Sequence, residues 1–303
     1  MNGGYDKPLY LLPFDHRHSY ITGMFHFTPP LDAEQHNAVA RSKQLIYEGF
    51  QAAVGKGIPK ERAGILVDEE FGADILRDAA KKGYVTALST ETSGADEFEL
   101  EYPDAFAEHI EKFAPTFAKV LVRYNPEGDE ALNRRQTERL NQLSEYCSRA
   151  DQLFMFELLV PATSAQLESV QGQKADYDLR LRPGLMYEAI RRLQDAGIEP
   201  DVWKIEGLDR REDCERIVEV ARRNGRSGVG CIVLGRGADE TKVVSWLQTA
   251  ASVPGFIGFA VGRTTFWDAV ADFRAQRATW EEAVSRIAAR FCEWAAIYER
   301  KQP

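Results

Sequence analysis

The sequence predicts a single α/β domain folded as a parallel (β/α)8 TIM barrel, and three observations predict it. Short apolar runs rich in Val, Ile, Leu and aromatic residues recur eight times along the chain. Amphipathic stretches of helical periodicity separate them. Charged residues gather where the runs end, as in barrels that build their sites at the C-terminal ends of the strands. Such alternation over 303 residues suits a closed barrel better than a doubly wound open sheet, the second choice. No Ser/Gly-rich linker or charge block divides the chain. Residues 1–303 therefore read as one domain, with 1–8 an N-terminal tail and 279–300 a C-terminal helix.

The elements follow in order. The first strand, Leu9–Asp15, ends in Asp15-His16-Arg17, and an unusually long connection carrying His16, His18, His26 and His36 leads on through a helix at Ala33–Val54. Gly64–Asp68 is the second strand, with the acidic turn Asp68-Glu69-Glu70 before a helix at Gly72–Lys82. Tyr84–Leu88 and Ala118–Tyr124 are the third and fourth strands, followed by helices at Ala105–Ala114 and Asp129–Ala150. Leu153–Val160 is the fifth strand, and polar Gln166–Pro183 precedes a helix at Gly184–Ala196. Val202–Glu206, Val229–Leu234 and Phe256–Val261 complete the strands, with helices at Arg211–Asn224 and Asp239–Ala251. Thr279 and Glu282 stand in capping-box spacing before the stripe Val284, Ile287, Phe291, Trp294 and Tyr298 of the last helix. The two long polar connections, after the first and fifth strands, are expected to cover the barrel mouth.

Side-chain alternation then assigns faces. In Val202-Trp203-Lys204-Ile205-Glu206, Trp203 and Ile205 share the helix-facing side, so Lys204 points into the barrel. A lysine desolvated in this way loses basicity and becomes an amine nucleophile suited to a carbonyl substrate. The same parity groups Lys119, Leu121 and Arg123, and Glu157 interrupts the apolar fifth strand. Each of these charges is costly to bury alone, but Asp15, Lys119, Glu157 and Lys204 collected in one interior could compensate one another. Plainer readings stand beside these: Asp15 as a cap, Lys119 at the bottom rim snorkelling to water, Glu157 as an arginine's partner, Lys204 as a salt-bridged interior lysine without chemistry, and Asp68 or Glu69 as an N-cap. The last two strands end in Gly235-Arg236-Gly237 and Gly262-Arg263-Thr264-Thr265, where glycine, a following helix start and arginine together suit phosphate.

Composition bounds the function. A net charge of -9 argues against a nucleic-acid or anionic-membrane surface. Cys147, Cys214, Cys231 and Cys292 show no CxxC pair or metal-ligand spacing, so reduced thiols are expected and no metal site. The first eight residues lack signal-peptide features, and no apolar run suits a bilayer, so a cytoplasmic protein is expected.

Together, Asp15-His16-Arg17, Ile65 to Gly72, Lys119 to Asn125, Phe156-Glu157-Leu158-Leu159, Trp203-Lys204-Ile205-Glu206 and the two glycine-arginine turns resemble the class I, Schiff-base tagatose-1,6-bisphosphate aldolase superfamily. They most resemble the aldolase-like C-terminal domain fused to bacterial 5-dehydro-2-deoxygluconokinase in inositol catabolism. The resemblance implies Lys204 as the Schiff-base lysine, Glu157 as the acid/base carboxylate, Lys119 as a second active-site lysine, Asp15 as the strand-one aspartate and Arg263 as a phosphate ligand. Gly235, Arg236, Gly237, Gly262, His16, Arg17, Asp68 and Arg123 are the further candidates for binding substrate. His16 stands where the family has Gln, and Gly235-Arg236-Gly237 replaces a Ser-Ala-Gly-like turn. The implied reaction is cleavage of a phosphorylated ketose or keto-sugar acid, with no cofactor and in a homo-oligomer. A sugar-phosphate isomerase or epimerase and a non-catalytic sugar-phosphate-binding barrel are the alternatives.

Overall fold

In the computed structural model, which describes residues 3–300, eight parallel strands close in sequence order into one barrel. They are β1 (Leu9–Pro13), β2 (Ala63–Val67), β3 (Val85–Ser89), β4 (Phe117–Arg123), β5 (Leu153–Leu159), β6 (Val202–Glu206), β7 (Gly230–Leu234) and β8 (Phe256–Ala260). All eight coincide with the runs predicted from sequence. Barrel closure pairs Leu9 with Gly258, where a Cβ would lie 1.7 Å from the Leu9 carbonyl oxygen. Only glycine lets the two end strands approach this closely.

Two apolar layers divide the core. Inside the barrel, Leu9, Leu11, Leu66, Val85, Ala87, Phe117, Met155, Val202, Ile232, Ile257 and Ala260 form one cluster. Tyr5 joins it from below, with its ring edge-on to Phe117. Outside, the opposite strand faces pack on the helices, and Trp203 is fully buried there. The interior cluster fills the end of the barrel where the strands begin, so polar side chains on the same parity emerge only higher up, towards the C-terminal ends.

Side-chain caps explain most helix starts. Asp32, Thr163 and Thr279 form capping boxes, and Asp68, Asp129 and Asp239 each accept from a first-turn amide. The sequence alone marks no element between β8 and the last helix, yet Arg263–Arg274 is helical. Its start lacks a side-chain cap, and two threonines in the first turn hid its periodicity. The long connections also differ from expectation: His18–Phe25 and Ser164–Ser169 are helical, as are two short turns covering Lys174–Leu181. No helix among the described residues is long and apolar enough to cross a membrane.

Candidate active site

A cavity of about 400 Å³ opens at the C-terminal end of the barrel, with Lys204, Glu157 and Asp15 in its wall. Barrel parity puts them there. Glu157 and Lys204 are register partners across β5 and β6, and their side chains form an ion pair between Glu157 Oε1 and Lys204 Nζ. Lys119, fully buried on β4, contacts Glu157 Oε2 at 2.9 Å, Asp15 Oδ2 at 2.8 Å and Glu91 Oε1 at 2.7 Å. Three carboxylates and two lysines therefore share one low-dielectric interior. Lys119 does not snorkel from the bottom rim; it is the hub of the cluster.

The environment separates the two amines. Burial favours the neutral form of both. For Lys119 that effect is overcome by Asp15, Glu157 and Glu91, which hold its ammonium well above the usual lysine range. For Lys204 burial prevails: Glu157 opposes it, Lys119 reinforces it through like-charge repulsion, and the amine titrates below its ordinary value. Burial raises carboxylates in turn, but Lys119 and Lys204 outweigh it at Glu157, and Lys119, His16 and Lys204 do so at Asp15. Both carboxyls are held below their usual range. At Glu91 burial wins, and its carboxyl is raised.

Glu91 escaped the sequence reading. Val85 and Ala87 face the interior, and the same parity carried beyond the end of β3 reaches Ser89 and then Glu91. The segment following it, residues 92–98, lines the cavity mouth. It is tied down by the His18 amide, which donates to Ser93 Oγ at 3.1 Å, and by Arg123, which donates to the Ala95 carbonyl at 2.9 Å. Residues 166–183 do not line the cavity; the cover expected there comes from 92–98 together with His18 and Ser19.

The remaining candidates divide. His16, Arg17, Arg123, Gly235, Arg236, Gly237, Gly262 and Arg263 all line the cavity. Arg17 is engaged, donating to Glu101 at 2.8 Å and to the Glu91 carbonyl. Arg236 is engaged too, with Asp178 at 2.8 Å and Glu206 at 2.9 Å. Arg123 and Arg263 have no carboxylate partner among the described residues, and Arg263 donates to the Arg236 carbonyl at 3.2 Å. Asp68 does not reach the cavity. It is fully buried, accepts from the Phe71 amide at 2.9 Å and pairs with Lys43, because it caps the helix Glu69–Lys81. Its N-cap reading is the correct one.

The end of the cavity beside Arg263 is built by backbone. Gly262 is the N-cap of Arg263–Arg274, and a Cβ there would come 2.4 Å from the Pro13 carbonyl oxygen, so glycine lets this helix start dock against β1. No side chain caps its first turn; the Thr265 and Phe266 amides bond to the Gly262 carbonyl, and the Arg263 and Thr264 end of the helix, with the positive end of its dipole, borders the cavity.

Comparison with known proteins places the fold. The barrel is similar to fructose-bisphosphate aldolase from Plasmodium falciparum, at a TM-score of 0.64 and 13% identity, covering 100% of this chain and 99% of that one. A Schiff base-forming fructose-1,6-bisphosphate aldolase superposes with a TM-score of 0.54 at 14% identity, covering 93% of each chain. A Corynebacterium glutamicum protein does so at 0.58 and 16% identity, covering 96% of this chain and 87% of that one. No curated protein matches the chain. Residues 4–302 match the family described as an uncharacterized protein conserved in bacteria, DUF2090. This chain belongs to that family, and it has the barrel fold of the class I, Schiff-base fructose-bisphosphate aldolases.

Proposed function

We propose that the protein is a class I aldolase that cleaves a carbon–carbon bond in a phosphorylated ketose or keto-sugar acid through a Schiff base on Lys204. One observation carries this reading: a buried lysine of lowered basicity shares a carboxylate with a second lysine that is held cationic. An ion-paired structural lysine would be stabilised as a cation, as Lys119 is. Lys204, although ion-paired to Glu157, is instead held below the ordinary lysine range, so less of its basicity has to be overcome to free the amine.

The chemistry follows from the contacts. Glu157 takes the proton of Lys204, and the free amine attacks the ketone. Glu157 then supplies a proton to the departing carbinolamine hydroxyl, leaving a cationic imine that accepts electrons from the bond being broken. Glu157 also receives the proton of the hydroxyl that becomes the aldehyde. Lys119 stays charged throughout, keeping Asp15, Glu91 and Glu157 in place. The first-turn amides after Gly262, the Gly235–Gly237 backbone and Arg263 hold the phosphate, which fixes the ketone against Lys204.

The second unpaired arginine refines the substrate. Arg123 is on β4 and Arg263 follows β8, at opposite sides of an eight-stranded barrel. A substrate with an anion at each end would engage both, and a single guanidinium without a helix start suits a carboxylate. This favours 2-deoxy-5-keto-gluconate 6-phosphate, which gives dihydroxyacetone phosphate and malonate semialdehyde. Borohydride reduction with dihydroxyacetone phosphate, followed by mass mapping, tests the reading. A stable adduct on Lys204, absent from Lys204→Met, is expected. No adduct with phosphate binding intact would end it in favour of an isomerase or a sensor.

A further inference from the structure

We propose that His16 is a second catalytic residue of this site, taking the proton from the carbon beside the Lys204 imine and returning it when the enamine is quenched. The proposal rests on the aldolase reading. Imine chemistry needs two separate proton transfers, one at oxygen and one at carbon, and the described carboxylates are poorly free to serve both. Glu157 has one oxygen on Lys204 and the other on Lys119. Asp15 is held by Lys119. Glu91 keeps one oxygen unpartnered, but its strongest charged neighbours are Lys119, Asp15 and Arg17 rather than Lys204.

His16 is differently placed. It follows β1, lines the cavity and packs its ring edge-on to Phe266, with centroids 6.3 Å apart. Gly262 makes room for it: a Cβ there would lie 3.3 Å from His16 Cε1. Its Nδ1 is buried with no partner, so no hydrogen bond at that nitrogen commits the ring to one tautomer. The charged groups that act on it are Asp15, Arg263, Glu157 and Lys204, and His16, Arg263 and Lys204 line the same cavity.

Those neighbours also fix its charge. Burial first, then Arg263 and Lys204, outweigh Asp15 and Glu157, and the ring is pushed down to about 4, so it is neutral near pH 7. A phosphate bound on Arg263 adds negative charge beside the ring and strengthens it as a base once substrate is seated. In the step itself the carbon–hydrogen bond breaks and the proton passes to a ring nitrogen. The bonding pair becomes the enamine double bond, and the imine π pair settles on the Lys204 nitrogen. In the cleavage direction the ring first gains the proton that Glu157 received from the substrate hydroxyl, then delivers it to the enamine carbon, restoring the imine for hydrolysis.

The test uses the full chain with dihydroxyacetone phosphate in D2O, reading carbon-bound hydrogen exchange by NMR and the borohydride adduct by mass. His16→Gln should keep the Lys204 adduct within about twofold and slow exchange by about 10² to 10⁴-fold. In His16→Ala, added imidazole should restore part of the exchange, which a merely structural histidine would not allow. Exchange at the wild-type rate in His16→Gln, with the adduct intact, overturns the proposal alone. Loss of the adduct in His16→Gln beside a normal wild-type adduct assigns the ring to imine formation and overturns it as well. Absence of a wild-type adduct removes the aldolase reading and this proposal together.

Discussion

Glu157 divides its carboxylate between two lysines, giving Oε1 to Lys204 and Oε2 to Lys119. The two contacts have different sources. The first joins register partners on adjacent strands, whereas the second crosses from β4 to β5 at a diagonal, because Lys119 is level with Met155. One side chain thus couples the protonation of the proposed nucleophile to a permanently charged neighbour.

Lys119→Met should be mainly a stability defect with catalysis lost as well. It leaves Asp15, Glu91 and Glu157 buried around no cation, and breaking a buried pair costs about 3–5 kcal/mol. Urea unfolding at pH 7 measures this. The deficit should shrink as the pH falls and the carboxyls protonate.

Lys204 must be neutral to attack. Its folded pKa lies below the ordinary 10.5, so trapping at saturating ketone should rise with pH and level off before that value. Lys119→Met removes like-charge repulsion and also frees the full charge of Glu157, and both raise the pKa of the amine. A shift of the profile to higher pH in that variant is therefore expected. A profile identical to wild type would remove Lys119 from the tuning of Lys204.

Arg263→Gln should weaken binding of the phosphorylated ketone without touching imine chemistry. Loss of one charge-assisted contact corresponds to about a 10 to 100-fold rise in the dihydroxyacetone phosphate concentration for half-maximal trapping. Arg123→Gln should leave that value unchanged and raise KM only for a substrate with a second anionic end. Equal effects of the two substitutions on trapping would contradict the division of the mouth.

His16 predicts an acid slope in stability. Its folded pKa of about 4 lies below the unfolded 6.5, so the unfolded chain binds the proton first and folding free energy is lost as pH falls between those values. Below about 4 the loss is complete, at about 3 kcal/mol. Chemical denaturation of wild type and His16→Gln from pH 7 to 4 should show the wild type losing more stability by that order.

Asp68→Asn should destabilise by about 3–5 kcal/mol through the orphaned Lys43 ammonium, yet retain the Lys204 adduct at permissive temperature. Loss of trapping in a folded variant would return Asp68 to the site.

Much of the fold was legible because period-2 apolar runs and period-3.6 helices alternate without interruption. Lys204 was legible because Trp203 and Ile205 fix its face. Glu91 was not, since Thr90-Glu91-Thr92 reads as a polar turn and its role depends on extending the β3 parity past the last paired residue. Arg236 was readable as cavity-lining but not as already neutralised: Asp178 is 58 residues away in sequence, and nothing local announces the contact. Asp68 shows the opposite case. An acidic residue at a strand end looks catalytic or capping alike until Lys43 is seen beneath it.

The apolar plug below the lysines has a consequence for how protons travel. Among the described residues, Tyr5 and the interior cluster fill the lower barrel, and the cavity at the mouth is what brings Asp15, Glu91, Glu157 and Lys204, and through them Lys119, towards solvent. A substrate of the proposed kind, seated between Arg123 and Arg263, would lie across that route. In that arrangement each proton that leaves an amine or a hydroxyl would pass to a neighbour among the same five side chains, to His16 or to the substrate itself.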